Sequence, residues 1–190
     1  MYKNLYMEIL GKKAKVASKQ LANLSIKKKN SVLKQFNNYL KMYSKAILKA
    51  NQKDLLKVKR MKNSQIARLE LDNEKIIQIS KSINQIIKFK DPVGKILSSW
   101  KRPNGLIIKR KSIPIGVIGI IYESRPNVTS DVSALCFKSG NVVILRGGSE
   151  AFYSNKILSD LFRKALKKNK CDENCVQFIK NKDRSNVDYL

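Results

Sequence analysis

The 190-residue sequence contains no histidine, only three cysteines, and 14 acidic residues against 40 basic ones. Without an imidazole, a Ser-His-Asp hydrolase triad is excluded. A zinc site would need thiolates and carboxylates, and Cys171 and Cys175 have no second pair to complete one. The odd cysteine count argues against a disulfide scaffold. No apolar run reaches the roughly 18 residues of a membrane-spanning helix. The segment Tyr2–Leu10 carries Lys3, Asn4 and Glu8 where a secretory signal would be apolar, so the cytoplasm is the expected compartment. No internal repeat or low-complexity linker is visible.

What is abundant is positive charge, a net +26. Such a charge invites a nucleic-acid reading. Its make-up points away from one, because 32 of the 40 basic residues are lysine and they are scattered over almost every expected helix. Specific readers of bases and phosphates favour the planar fork of arginine. The dense runs are Lys27-Lys28-Lys29 and Lys109-Arg110-Lys111. Salt-sensitive, non-specific adhesion to polyanions is expected, and specific nucleic-acid recognition is not. The 43% apolar content suffices for a core, and the length suits one domain or one domain with a helical appendage.

The first ninety residues are helical in pattern. Met7, Leu10, Ala14, Ala17, Leu21 and Leu24 recur at three- and four-residue steps. Ser25 is the expected N-cap of a second helix with Leu33, Phe36, Leu40, Tyr43 and Ile47 on its buried side. Asp72 precedes another, striped by Ile76, Ile79, Ile83 and Ile86, and a short segment Ser64–Leu69 lies between. The stripes read as core and the lysines as solvated faces. Asp91-Pro92-Val93-Gly94 is a turn, and Asn104-Gly105 marks a hairpin between 96–100 and 106–111. Strands at 113–122, 141–146 and 175–180 then alternate with helices at 127–138 and 149–168.

The stretch Pro114–Glu150 is the most telling. Two apolar strands flank a helix-length segment, which reads as a parallel βαβ unit. The polar clusters Glu123–Asn127 and Arg146–Glu150 then fall at the carboxyl ends of strands, where open α/β sheets bind ligands. Asn127 either caps the following helix or points its amide at an oxyanion. Arg125 is either a loop arginine or a partner for phosphate or carboxylate. Gly147 and Gly148 permit close backbone approach, and free N–H groups at the next helix start suit a phosphate. A plain turn with Ser149 as N-cap is the alternative. Tyr122 reads as strand-end packing, and Cys136 as a buried thiol beside Val132 and Leu135.

The segments Val117–Thr129 and Gly140–Glu150 resemble the signature of the γ-glutamyl phosphate reductases, a branch of the aldehyde dehydrogenase superfamily. Ordinary aldehyde dehydrogenases carry Pro-Trp-Asn at the first site, where this chain has Ser124-Arg125-Pro126-Asn127. Asp91–Gly94, Arg68-Leu69 and Val176–Arg184 extend the likeness over essentially the whole chain. The resemblance implies an aldehyde-dehydrogenase-like α/β fold: a helical segment over 1–91, a hairpin arm over 92–112 and an incomplete Rossmann-type domain over 113–190. It implies NADPH-dependent reduction of L-glutamyl 5-phosphate to glutamate 5-semialdehyde and phosphate, a step of proline biosynthesis. It assigns oxyanion stabilisation to Asn127, substrate binding to Arg125, and cofactor binding to Arg146, Gly147, Gly148 and Glu150. It also implies homo-oligomers through the 95–112 hairpin and a glutamate 5-kinase partner. The family's nucleophilic cysteine lies in a Thr-Cys-Asn context that these 190 residues do not contain, so the chain reads as an N-terminal, inactive fragment. Two alternatives remain open: a basic nucleic-acid-binding helical module, and a retained dimerisation fragment.

Overall fold

The computed structural model describes residues 5–58, 61–181 and 183–190; Lys3, Asn4 and Lys182 lie outside the described residues. Five helices come first. Helix α1 (Leu5–Leu21) buries Met7, Leu10, Ala14, Ala17 and Leu21 of the expected stripe, whereas Leu24 lies past the helix end, half-buried against the core. The Ser25 hydroxyl accepts the Lys28 N–H at 3.3 Å and so starts α2 (Ile26–Met42). The single helix expected through Ile47 is instead broken at Tyr43, where φ is −102° and ψ 18°. The break separates α2, which packs on both α5 and α7, from α3 (Ser44–Leu55), which lies mainly on α7. Helix α4 (Asn63–Leu69) is short. Asp72 accepts the Lys75 N–H at 2.6 Å and starts α5 (Asn73–Lys88), whose isoleucine stripe is buried as expected.

Two lysines depart from the solvated-face expectation. Lys29 is fully buried and bonds both oxygens of Asp91, at 3.0 and 3.2 Å. Lys138 is 2% exposed and donates to Asn30 Oδ1 and the Ile87 carbonyl. Burial lowers its pKa, partly offset by Asp91. These charges fasten the turn that follows α5 to α2 and to the later α/β layer. Removing one partner would leave a buried charge uncompensated.

The hairpin pairs β1 (Ile96–Lys101) with β2 (Ile107–Lys111), antiparallel, with a register shift between Ile96 and Ser98. Gly105 has φ of +87°, which is why the Asn-Gly turn signal was legible. Next come β3 (Val117–Tyr122), α6 (Pro126–Lys138), β4 (Val142–Gly147), α7 (Phe152–Lys168) and β5 (Val176–Phe178). The strands form a parallel sheet in the order β3-β4-β5. Strand β3 begins at Val117 rather than 113; Ile113 and Ile115 are 82% and 84% exposed and pair with no strand among the described residues. The central β4 is buried throughout, whereas β3 is an edge strand whose residues alternate in exposure.

One hydrophobic cluster runs from Met7 through the helices to Ile179. Phe162 of α7 sits at the junction, its ring centroid 4.6 Å from Phe36 and 5.7 Å from Phe137. The helical segment and the parallel sheet therefore share a core. That shared packing fixes the strand ends relative to α3 and α4. Among the described residues no helix is long and apolar enough to cross a membrane.

Candidate functional site

The β3–β4 register places Tyr122 beside Gly147, so the two strands end together and their loops face each other. The first loop is Glu123-Ser124-Arg125, closed by Pro126 at the first helical position of α6. The second is Gly148 and the 3₁₀ turn Ser149–Ala151. Ser124, 8% exposed, joins them by donating to Glu150 Oε2 at 2.7 Å, while Ser149 donates to Oε1 at 3.0 Å. A Cβ on Gly148 would collide with the Ser124 hydroxyl, and one on Gly147 with Asn155 Nδ2. Both glycines are therefore required by close packing beneath the loops, and neither has positive φ. Under them Tyr122 pairs with Thr129 at 2.6 Å, and Thr129 donates to Asn155 Oδ1 at 2.9 Å. Burial pushes the Tyr122 phenol up to about 12, although the Thr129 bond works against it. Tyr122 is the strand-end packing residue the sequence suggested.

The start of α7 differs from expectation. Ser149 does not cap it, and its first N–H groups are not free. Asp54, 2% exposed on α3, accepts the Tyr153 and Ser154 N–H groups at 2.9 and 2.8 Å and the Ser154 hydroxyl at 2.6 Å. A protein carboxylate already stands where an anion at this helix terminus would bind. Asn51 supports the same corner, accepting the Leu71 N–H and donating to Ser154 Oγ and the Leu69 carbonyl.

Arg146 is 7% exposed, and its Nη1 donates to the Gly147 carbonyl at 3.0 Å. Its charge reaches the C-terminal turn. Asp183 is held below the usual carboxylate range chiefly by hydrogen bonds from Ser185, with Arg146 adding to them. Glu150, by contrast, is exposed.

Two adjoining clefts open beside these loops. One, of about 430 Å³, is lined by Arg68, Lys75, Ser82, Arg125, Asn127 and Asp131 among others. The other, of about 360 Å³, takes in Arg68, Glu123, Ser124, Arg125, Gly148 and Glu150. Asn127 does not cap α6: it is the second helical residue, exposed, with Nδ2 3.4 Å from Asp131 Oδ2. The Asp131 carboxyl is raised by burial, against hydrogen bonds from Ser82 and Asn127. Asn127 and Arg125 thus share the first cleft, and Arg125, Gly148 and Glu150 share the second. Arg146 and Gly147 line neither.

The rim offers an amide donor, guanidinium groups and an acceptor carboxylate, which can bind and orient an anionic or hydroxyl-bearing ligand. It offers no activated thiol. Burial pushes Cys136 up to about 11 and Cys175 up to about 12, and raises Cys171 as well. The sequence did not reveal Asp54 or the Ser124–Glu150 link. Each joins residues distant in the chain, and only their polar character was visible beforehand.

No protein-family model matches the chain. Among curated proteins it is 47% identical over 183 residues to a γ-glutamyl phosphate reductase of Carboxydothermus hydrogenoformans, covering 95% of this chain and 44% of that protein. A γ-glutamyl phosphate reductase of Caldanaerobacter subterraneus is 45% identical, with 97% and 45% covered. The crystal structure of a γ-glutamyl phosphate reductase from Thermotoga maritima superposes with a TM-score of 0.93 at 43% identity, covering 95% of this chain and 44% of that one. A probable aldehyde dehydrogenase from Listeria monocytogenes, 15% identical, shares the fold with a TM-score of 0.72. The chain spans less than half the length of the curated relatives it matches.

Proposed function

Since the chain belongs by sequence and fold to the γ-glutamyl phosphate reductase family, we propose that it supplies the cofactor-side part of an NADPH-dependent reductase of L-glutamyl 5-phosphate in proline biosynthesis. The observation that carries this is the meeting of Asn127, Arg125 and Glu150 at the carboxyl ends of β3 and β4, beside two open clefts. NADPH would supply hydride. In this reading the parallel sheet is the first part of a Rossmann-type domain.

The fit to that cofactor rests on Glu150. Its two oxygens are oriented by one serine hydroxyl each, and the exposed carboxylate would accept a ribose hydroxyl. Gly148 lines the second cleft beside Glu150. Arg146 would meet the 2′-phosphate once the C-terminal turn around Asp183 moves aside. The α7 N-terminus, held by Asp54, would not receive a phosphate. Asn127 would donate its amide to the acyl oxygen as negative charge develops there, and Arg125 would hold the substrate's anionic end. The thiol that attacks the acyl phosphate would come from residues outside this chain, so the 190 residues alone should not turn over. The apolar Leu97, Trp100, Leu106 and Ile107 exposed on the hairpin support its use as a subunit-association arm. A glutamate 5-kinase would be the partner that delivers the acyl phosphate.

A chimera tests this reading. This chain would replace the matched segment of the Thermotoga maritima reductase, and NADPH oxidation with glutamyl phosphate would be followed. Turnover by the chimera, with none from the 190-residue chain alone, is expected. A folded chimera without turnover, beside an active parent, overturns the proposal.

A further inference from the structure

Arg68, from the last turn of α4, and Arg125, from the loop after β3, converge on one atom. Glu123 Oε2 lies 4.0 Å from Arg68 Nη1 and 3.7 Å from Arg125 Nη2. Both separations exceed the roughly 2.7–2.9 Å of a charge-assisted hydrogen bond. The three side chains are 55%, 46% and 78% exposed, in the order Arg68, Arg125, Glu123, so the carboxylate is held loosely in water. Neither guanidinium makes another hydrogen bond or ion pair among the described residues. Arg163, in contrast, is committed to the Glu173 and Val176 carbonyls. The pair also stands where the two clefts meet, since Arg68 and Arg125 line both.

We propose that Arg68 and Arg125 form a two-guanidinium site for a phosphoryl group, and that Glu123 occupies it as an exchangeable internal anion. A single arginine fork satisfies the two oxygens of a carboxylate. Two forks approaching one point from different elements suit a dianion with three terminal oxygens. Displacing Glu123 costs little, because the pair it breaks is exposed and long. The released carboxylate can turn into solvent. The site joins the helical segment to the strand-end loop, so an anion bound there would tie α4 to the start of α6. Identification of that phosphoryl group with the substrate's acyl phosphate rests on the reductase reading above; the site itself does not.

Binding of inorganic phosphate to the 190-residue chain, measured by calorimetry at constant ionic strength with acetate as the competing carboxylate, tests the proposal. Lys109→Ala on the hairpin controls for the loss of one charge from a very basic protein. Arg68→Ala and Arg125→Ala should each weaken phosphate by about tenfold more than Lys109→Ala does. Arg68→Lys, which keeps the charge and loses the fork, should fall between. Glu123→Gln should tighten phosphate several-fold by removing the internal competitor. Affinities for Arg68→Ala matching Lys109→Ala overturn the site, and no tightening in Glu123→Gln overturns the role of Glu123 as its internal anion. Acetate binding as well as phosphate, with the same dependence on the arginines, overturns the phosphoryl assignment. Failure here with an active chimera removes this site alone, whereas phosphate binding as described with an inactive chimera removes the reductase reading alone.

Discussion

The Asp54 carboxylate caps a helix that begins about a hundred residues later in the chain, taking both the N–H of Ser154 at 2.8 Å and its hydroxyl at 2.6 Å. It also takes the Tyr153 N–H. This is how the strand-end loops are held at a fixed height over the helical segment. Asp54→Ala leaves three donors at a buried helix start without their acceptor. A loss of about 3 kcal/mol in unfolding free energy is expected, more than an exposed cap would cost. Urea titration followed by circular dichroism checks it. A midpoint unchanged in Asp54→Ala would show that the cap does not hold this corner.

The buried thiols give the chain an alkaline weakness. Folding raises Cys175 from 9.0 to about 12 and Cys136 from 9.0 to about 11, both mainly through desolvation. For an acid raised in the folded state, the unfolded chain releases its proton first. Stability is therefore fully present below pH 9 and is lost as pH rises from there towards the folded values. At pH 10 each thiol should remove about 1 kcal/mol. Cys175→Ala should lower stability at pH 7 slightly and flatten the decline between pH 9 and 11. The slope of the urea midpoint against pH measures this, and an unchanged slope in Cys175→Ala would contradict it.

Local signals were legible where cause and effect are close in sequence. Ser25 and Asp72 start helices as their side chains suggest, because an N-cap acts over three residues. The stripes of α1 and α5 bury the expected residues because periodicity depends only on spacing. The break at Tyr43 was not legible, since nothing nearby in sequence punctuates the apolar pattern and the division follows tertiary docking. Lys29 looked like part of a solvated run, and only the approach of Asp91, 62 positions away, makes its burial tolerable. At the site, the two polar clusters were visible as strand ends. The occupied start of α7, the covered Arg146 and the pairing of Arg68 with Arg125 through Glu123 all depend on elements brought together by folding.

Asn127 is the residue whose loss should be felt in the chemical step. Its amide is exposed in the cleft and only weakly engaged by Asp131 at 3.4 Å, so it can turn to a ligand at small cost. In the chimera, Asn127→Ala should lower kcat by about 10²–10³ with a much smaller change in KM for the acyl phosphate. Asp131→Asn should leave most of kcat in place, because the amide retains its own donors. A fall in KM-controlled binding with kcat unchanged in Asn127→Ala would make Asn127 a binding residue instead.

Arg146 and Glu150 make opposite demands on a cofactor. Glu150 is exposed, and serines orient both its oxygens at the rim of the cleft, where a ribose hydroxyl can reach it. Arg146 is buried and bonded to the Gly147 carbonyl, so reaching a 2′-phosphate requires exposing it. In the chimera, Arg146→Ala should therefore weaken NADPH more than NADH, by about one to two decades, the range of a desolvated charge-assisted contact. Glu150→Ala should weaken both cofactors alike, and Ser124→Ala should do the same to a smaller degree by freeing Glu150. Fluorescence titration of the two reduced cofactors gives the ratio directly. If Arg146→Ala lowers stability but leaves the NADPH/NADH ratio unchanged, Arg146 is a structural residue of the β4 end, and the 2′-phosphate must be met by another cation.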